Sequence, residues 1–347
     1  MPEAILEPEL PIVDPHHHLW QRAGAPPADA VAGPVHPFTQ VVAKRPRYLW
    51  DELRADITSG HNVVGTVFVQ CGAMYRADGP DALKPVGETD FVNGVAAMSA
   101  SGVYGPARAC AGIVGHADCT LGDRIDATLE AHLKVTDRFK GIRHSCSYDA
   151  DPGVLGPLSR QTPGLYASDA FRKGYARLAK YGLSFDAWFL EPQLPEVYDL
   201  VKGHPDIPVV IDHVGTPLGL ASYEGRREAR FPIWRENMAK LAGLPHVNVK
   251  LGGLAMAFCN FPSFLAEPSA PSTRLAAEWK PYLETCIELF GPGRCMFESN
   301  FPVDLGSCDY PTLWNAFKVF AKDYSAAEKA DLFAGTAKRV YRLDLPN

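Results

Sequence analysis

Eight short β-rich runs, each followed by a stretch of helical periodicity, constrain this 347-residue chain more than any other feature. The runs are "PIVDPHHH" (11–18), "VVGTVFVQC" (63–71), "ARACAGIVGHA" (107–117), "FKGIRHS" (139–145), "LSFDAWFL" (183–190), "PVVIDHVG" (208–215), "VNVKLGG" (247–253) and "CMFESNF" (295–301). Residues 89–100, 123–135, 168–180, 193–203, 231–243 and 274–290 repeat apolar side chains at three- and four-residue steps. That is the pattern of a helix laying one face on a sheet. A last helical stretch, 311–343, follows the eighth run. Eight strand–helix units predict a (β/α)8 TIM barrel. The rival, an open doubly wound sheet, has no G-x-G-x-x-G turn to support it. In nearly every run the unusual polar residues fall at the C-terminal end, the face where barrels keep their chemistry. Two long connections, 21–49 and 254–273, would rim that face as lids or pocket walls. A single domain is expected, with its core at about residues 10–343.

Composition serves mainly to exclude. At 46% hydrophobic and 21% charged residues the chain is globular in kind. A net charge of −6 without any Lys/Arg stripe argues against nucleic acid or an anionic membrane as partner. No apolar stretch approaches the ~20 residues of a membrane span. The start, "MPEAILEPELP", lacks a basic-then-apolar leader pattern. Eight cysteines are scattered with no C-x-x-C pair, so neither a thiolate zinc site nor a disulfide framework is expected. A cytoplasmic setting and a small-molecule substrate fit these features.

The chemistry-bearing residues sit at the strand ends. On an extended strand His16 and His18 share a face about 6.5–7 Å apart, with His17 pointing the other way. Two neutral imidazoles converging in this manner suit Zn²⁺ or a similar ion. A lone histidine at a strand end is more often a hydrogen-bonded structural residue, and that is the reading for His17. His213, after "VVID", is the best third imidazole, with a backbone-bonded role as its alternative. Arg143 and His144 are adjacent, so one of them enters the pocket. An arginine there offers a planar fork for a carboxylate or a polarised carbonyl, or else a salt bridge to a helix acid. Glu298 and Asn300 share a face of the last strand, and Asp304 lies beyond Pro302. A carboxylate inside a barrel is costly unless paired. Glu191 follows the fifth run at the same face, and Glu88 could reach the mouth from a loop, whereas Gln70 ends the second strand as a neutral, poor ligand. Trp20, Tyr48, Trp50, Tyr75 and Phe301 read singly as rim packing and together as flat apolar walls. They tilt the expected substrate towards an aromatic-derived or unsaturated ring.

"IVDPHHHLW", "GIRH", "VVIDHVGTPLG", "VKLGGL" and "CMFESNFPVD", in this order, resemble the amidohydrolase-related family, in the branch of metal-dependent TIM-barrel hydrolases that includes sugar and muconate-type lactonases. The resemblance runs over nearly the whole chain. It implies an active site at the C-terminal face and hydrolysis of an ester-like bond, commonly a lactone. It also implies association into homo-oligomers. By motif, His16, His18 and His213 match family metal ligands, and one divalent ion, zinc first, is the implied cofactor. A metal-free site is the alternative that some relatives use. Two departures stand out. Glu191 is the nearest substitute for the usual strand-5 histidine, and Asn300 occupies the place of the usual strand-8 aspartate. An amide cannot act as a base near neutral pH. Glu298, two residues earlier on the same face, is therefore expected to take the proton of the attacking water, with Asn300 orienting water or substrate; Glu191 and Asp304 are next in line. The leading function is a lactone hydrolase using Arg143, His213, Glu298 and Asn300, with Trp20, Tyr48, Tyr75, His144 and Phe301 at the substrate. The alternatives are a metal-dependent decarboxylase of an aromatic or unsaturated acid, and a catalytically degenerate ligand-binding barrel.

Overall fold

The computed structural model describes residues 3–22, 35–159 and 161–345; residues 23–34 of the first long connection lie outside the described residues. All eight expected runs form strands: β1 (Ile12–His17), β2 (Val63–Val69), β3 (Arg108–Gly115), β4 (Phe139–Arg143), β5 (Ser184–Ala187), β6 (Val209–Ile211), β7 (Val247–Leu251) and β8 (Cys295–Phe297). They pair in parallel and in chain order. The sheet then returns on itself. Asn300 N donates to His16 O, and His18 N to Phe301 O, both at 2.8 Å, and a bridge joins His17 to Phe301. The result is an eight-stranded parallel barrel wrapped by helices, as the alternation predicts. The closing bonds also set the H-x-H segment beside the "ESN" segment.

Apolar runs such as β2, "VVGTVFV", stay extended because β-branched residues are buried on both faces between barrel and helices. Helix Ser272–Phe290 shows the outer layer. Leu275, Trp279, Leu283 and Cys286, spaced by three or four residues, form its buried stripe. The stretch 311–343 is not one helix. Helix Tyr310–Phe320 ends, and Ser325 caps a new one in a reciprocal box with Glu328. The chain then runs through a π turn at Asp331–Gly335 into helix Thr336–Val340. Its end plugs the barrel floor. Tyr341 is fully buried among Val13, Val67, Val114, Val210 and Met296, with Leu343 and Leu345 packed beside it.

Candidate active site

Pro15 lacks an N–H, and the β1–β2 register slips between Asp14 and His17. Asp14 uses the irregularity to tie β1 to the opposite end of the sheet. Its Oδ1 accepts from His16 N (3.3 Å) and Ser299 N (3.0 Å), and its Oδ2 from the Tyr310 hydroxyl (3.1 Å). The side chains alternate as expected. His17 faces Thr66 Oγ1 at 2.8 Å, in a structural position, while His16 points to the barrel axis.

β6 ends in a left-handed turn, with φ of 56° at His213, 47° at Val214 and 48° at Thr216. Such a conformation is costly for Val214, so neighbours must impose it. Trp234 Nε1 donates to Val214 O at 2.8 Å, Thr216 N to His213 O at 2.8 Å, and His213 N to Glu298 Oε1 at 3.1 Å. Glycine is required at 252 and 253, because a Cβ there would collide with Glu298 and His213. The turn delivers the His213 ring to β8, with Nδ1 2.7 Å from Glu298 Oε1.

Glu298 therefore lies behind two imidazoles. Its Oε2 is 2.7 Å from His16 Nδ1, yet that oxygen is buried with no aligned hydrogen bond. Burial alone would raise the Glu298 pKa, but His213 and His16 hold it down to about 2. Burial and Lys250 lower His16 to about 4, which keeps the imidazole neutral. His16, His213 and Glu298 offer ligand atoms within 4.8 Å of one another. Two imidazoles and a carboxylate with one orphaned oxygen fit a divalent ion.

A belt of paired charges lies around this set. The Lys250 ammonium is 2.6 Å from Asp186 Oδ2, 3.0 Å from Asp212 Oδ1 and 3.2 Å from His16 Nδ1. Asp212 Oδ2 in turn receives Arg143 Nη1 at 3.3 Å, and the same Nη1 is 3.3 Å from His16 Nε2. Arg143 Nη2 donates to Gln70 O, while its buried Nε has no partner among the described residues. Buried charges persist only when paired in this way.

Above the belt opens a cavity of about 450 Å³. His18, His213, Arg143, His144 and Asn300 line it, as do Trp20 and Tyr75. Arg143 and His144 both reach it, against the expectation of one, because β4 ends at Arg143 and strand alternation stops there. His18 stands outside the ligand set. Its Nδ1 is 2.8 Å from Val69 O and its Nε2 3.3 Å from Asn300 Oδ1. Asn300 Nδ2 donates to Asp304 at 2.8 Å, which places Asp304 behind the amide, off the cavity wall.

Four expected positions are held elsewhere. Glu191 is clamped by Arg230 at 2.7 and 2.8 Å and does not meet the histidines. Tyr48 donates to Asp56 at 2.6 Å, Trp50 packs on Tyr104, and Phe301 packs edge-on against Tyr310. Glu298 is absent from the cavity wall, so it meets substrate only through the imidazoles. Glu88 spends Oε1 on the Cys71 and Ala73 amides. Sequence reasoning missed His116, Trp188, Arg22 and Phe258 on the wall. His116 and Trp188 close strand runs at the C-terminal end, so the rule that found His213 would have found them too.

A family model described as amidohydrolase matches residues 13–343. An uncharacterized protein of Sinorhizobium fredii is 31% identical over 337 residues, covering 96% of this chain and 99% of its own. L-fucono-1,5-lactonase of Burkholderia multivorans is 31% identical over 215 residues, 60% of this chain and 64% of that protein. A crystal structure of a Burkholderia multivorans amidohydrolase with bound zinc superposes with a TM-score of 0.71 at 26% identity, over 96% and 99% of the two chains. With a barrel, a His/Glu set at its mouth and a family match over almost its full length, the chain belongs to the amidohydrolase family.

Proposed function

We propose that this amidohydrolase-family hydrolase opens a small cyclic ester by attack of water. The observation that carries the reading is one cavity wall that combines Arg143 with His213, whose Nδ1 is anchored 2.7 Å from the buried Glu298. The partial relative acting on L-fucono-1,5-lactone supports a lactone as substrate. Arg143 lines the cavity and is fixed by Asp212 and the Gln70 carbonyl, so its guanidinium is held ready for an oxygen that gains negative charge. The Nδ1 hydrogen of His213 goes to Glu298, which leaves Nε2 with the lone pair. Water adds to the lactone carbonyl carbon and gives its proton to that Nε2, while Glu298 stabilises the imidazolium. The ring C–O bond then breaks, and the leaving alkoxide takes the proton back, giving a hydroxy acid. Asn300, on the same wall, orients the water.

The family is typically metal-dependent, and His16, His213 and Glu298 are the residues that would hold an ion, with zinc the first choice. Bound there, it would supply Lewis-acid polarisation of the carbonyl and a lowered water pKa. One lone pair on His213 cannot serve both as ligand and as base, so chelation separates the two states. The test is a lactone panel read by proton release and by CO₂, with elemental analysis of the same sample. Proton release without CO₂ supports the reading. Chelator-resistant turnover makes His213 the base, and loss on chelation makes it a ligand. CO₂ release from an aromatic acid, with every lactone untouched, overturns hydrolysis in favour of decarboxylation.

A further inference from the structure

One buried carboxylate beside the cavity has no part in the hydrolysis proposed above. Glu88 lies in the first turn of helix Val86–Ala100, where the helix dipole favours a negative charge. Its Oε1 accepts from the Cys71 amide at 3.0 Å and the Ala73 amide at 2.8 Å, with the Cys71 thiol at 3.7 Å. Those amides belong to the segment that leaves β2. Gln70 N still donates to Val114 O at 2.8 Å, but Gly72 at φ 75° and Met74 at φ 54° stop the ladder from continuing. The segment therefore needs an anchor from outside the sheet. Three successive carbonyls of the same segment turn onto side chains of the cavity wall. Val69 O receives His18 Nδ1 at 2.8 Å, Gln70 O receives Arg143 Nη2, and Cys71 O receives Arg22 Nη2 at 3.2 Å. His18 passes the constraint on to Asn300, whose Oδ1 is 3.3 Å from its Nε2.

We propose that Glu88 is a positioning residue: by gripping the Cys71 and Ala73 amides it holds the Val69, Gln70 and Cys71 carbonyls, and through them His18, Arg143 and Arg22, at the cavity. The inference rests on the hydrolysis reading only for its kinetic readout. The grip depends on charge, since a hydrogen bond to an ionised acceptor is roughly twice as strong as one to a neutral acceptor. Arg143 on β4, with Cys71 and Tyr75 on the segment, are the charged and titratable groups that face Glu88. On its own helix Asp90 turns outward to Arg76 at 2.6 Å. Burial pushes the Cys71 thiol and the Tyr75 phenol up, so both stay neutral, and Arg143 keeps its guanidinium charge. Burial lifts Glu88 itself to about 7, against the pull of the two amides and Arg143. The anchor therefore loses its charge as pH falls through that value, and a glutamine at the same position imitates the protonated state.

The experiment compares the full-length wild type with Glu88→Gln and Glu88→Ala on the best lactone of the panel. Glu88→Gln keeps one acceptor oxygen in the same volume, which guards against a folding defect. Its kcat should match the wild type within about twofold below about pH 6 and lag it about tenfold above about pH 8. KM should stay within about threefold, because Arg143 acts on charge that develops during the reaction. Glu88→Ala should lose about 100-fold in kcat. The ratio of wild type to Glu88→Gln cancels any pH limb that other groups impose on both proteins, and a ratio that stays flat across this range overturns the inference. Two further readouts need no substrate. At about pH 8, hydrogen exchange of the Cys71 and Ala73 amides should be at least about tenfold faster in Glu88→Ala than in the wild type, with Glu88→Gln between them. The Nε–H resonances of Arg22 and Arg143 should weaken in the same order. Wild-type exchange in Glu88→Ala, or unchanged arginine resonances, overturn the inference. If no lactone turns over, the hydrolysis reading fails by itself, and these two readouts decide the role of Glu88.

Discussion

At the scale of single residues, the behaviour of this protein depends on which hydrogen each buried imidazole carries. Glu298 holds the Nδ1 side of His213 and packs against that of His16. Carboxylates that orient a working imidazole are typically worth 10–100-fold. Glu298→Gln is therefore expected to lower kcat on the best lactone by about 10–100-fold with KM within about threefold; unchanged kcat would remove Glu298 from the machinery. His132 shows the same principle in stability. Its ring stacks on Phe139 with centroids 4.5 Å apart, and it bonds Thr89 Oγ1 at 2.8 Å and His116 O at 3.0 Å. Burial lowers its pKa from 6.5 to about 4. Between those two values the unfolded chain binds the extra proton, so the contribution is complete above pH 6.5 and is lost as pH falls towards 4. Urea titrations should show the wild type losing about 2–3 kcal/mol more than His132→Gln between pH 7 and pH 4. Parallel pH dependence of the two proteins would contradict this.

Single elements carry the strain that positions those rings. The turn after β6 holds three non-glycine residues at positive φ, and Gly253, itself at φ 65°, lets His213 sit against β7. Gly253→Ala adds a methyl where His213 lies and forces an L residue into a glycine conformation. The expected loss is about 2–4 kcal/mol, accompanied by loss of lactone turnover as the ring is displaced. Wild-type stability and turnover in that variant would show that the turn is not tightly packed. The end of β4 makes a related point. Alternation assigns one of Arg143 and His144 to the cavity, yet both reach it because the strand stops between them. Periodicity rules hold only as far as the hydrogen-bond ladder does.

For the whole molecule, a charged belt inside an apolar barrel links the floor to the mouth. The Tyr341 hydroxyl donates to Asp186 Oδ2 at 2.7 Å; Lys250 bridges Asp186 and Asp212, and Asp212 reaches Arg143. The last helix thus closes the barrel and completes a buried ion network. Tyr341→Phe is expected to cost about 1–3 kcal/mol in a denaturant titration, the loss of one hydrogen bond to a buried carboxylate that keeps Lys250 as its partner. Deleting residues 341–347 exposes the valine-rich floor and should prevent stable folding. A truncated chain as stable as the wild type would show that the plug is dispensable.

The sequence by itself determined the barrel, because eight buried parallel strands must read as apolar runs and their helices as one-sided stripes. It also placed His16, His18, Arg143, His213 and Asn300 at the working face, since strand ends are visible locally. What each side chain does there was decided by tertiary structure. Glu298 lies behind the imidazoles, Glu191 belongs to Arg230, and Lys250 threads two aspartates, all through partners at least 38 residues away. Pairing at such separations leaves no local pattern. Tautomers are still less legible, because a ring nitrogen takes its hydrogen from whichever carbonyl or amide the fold brings to it.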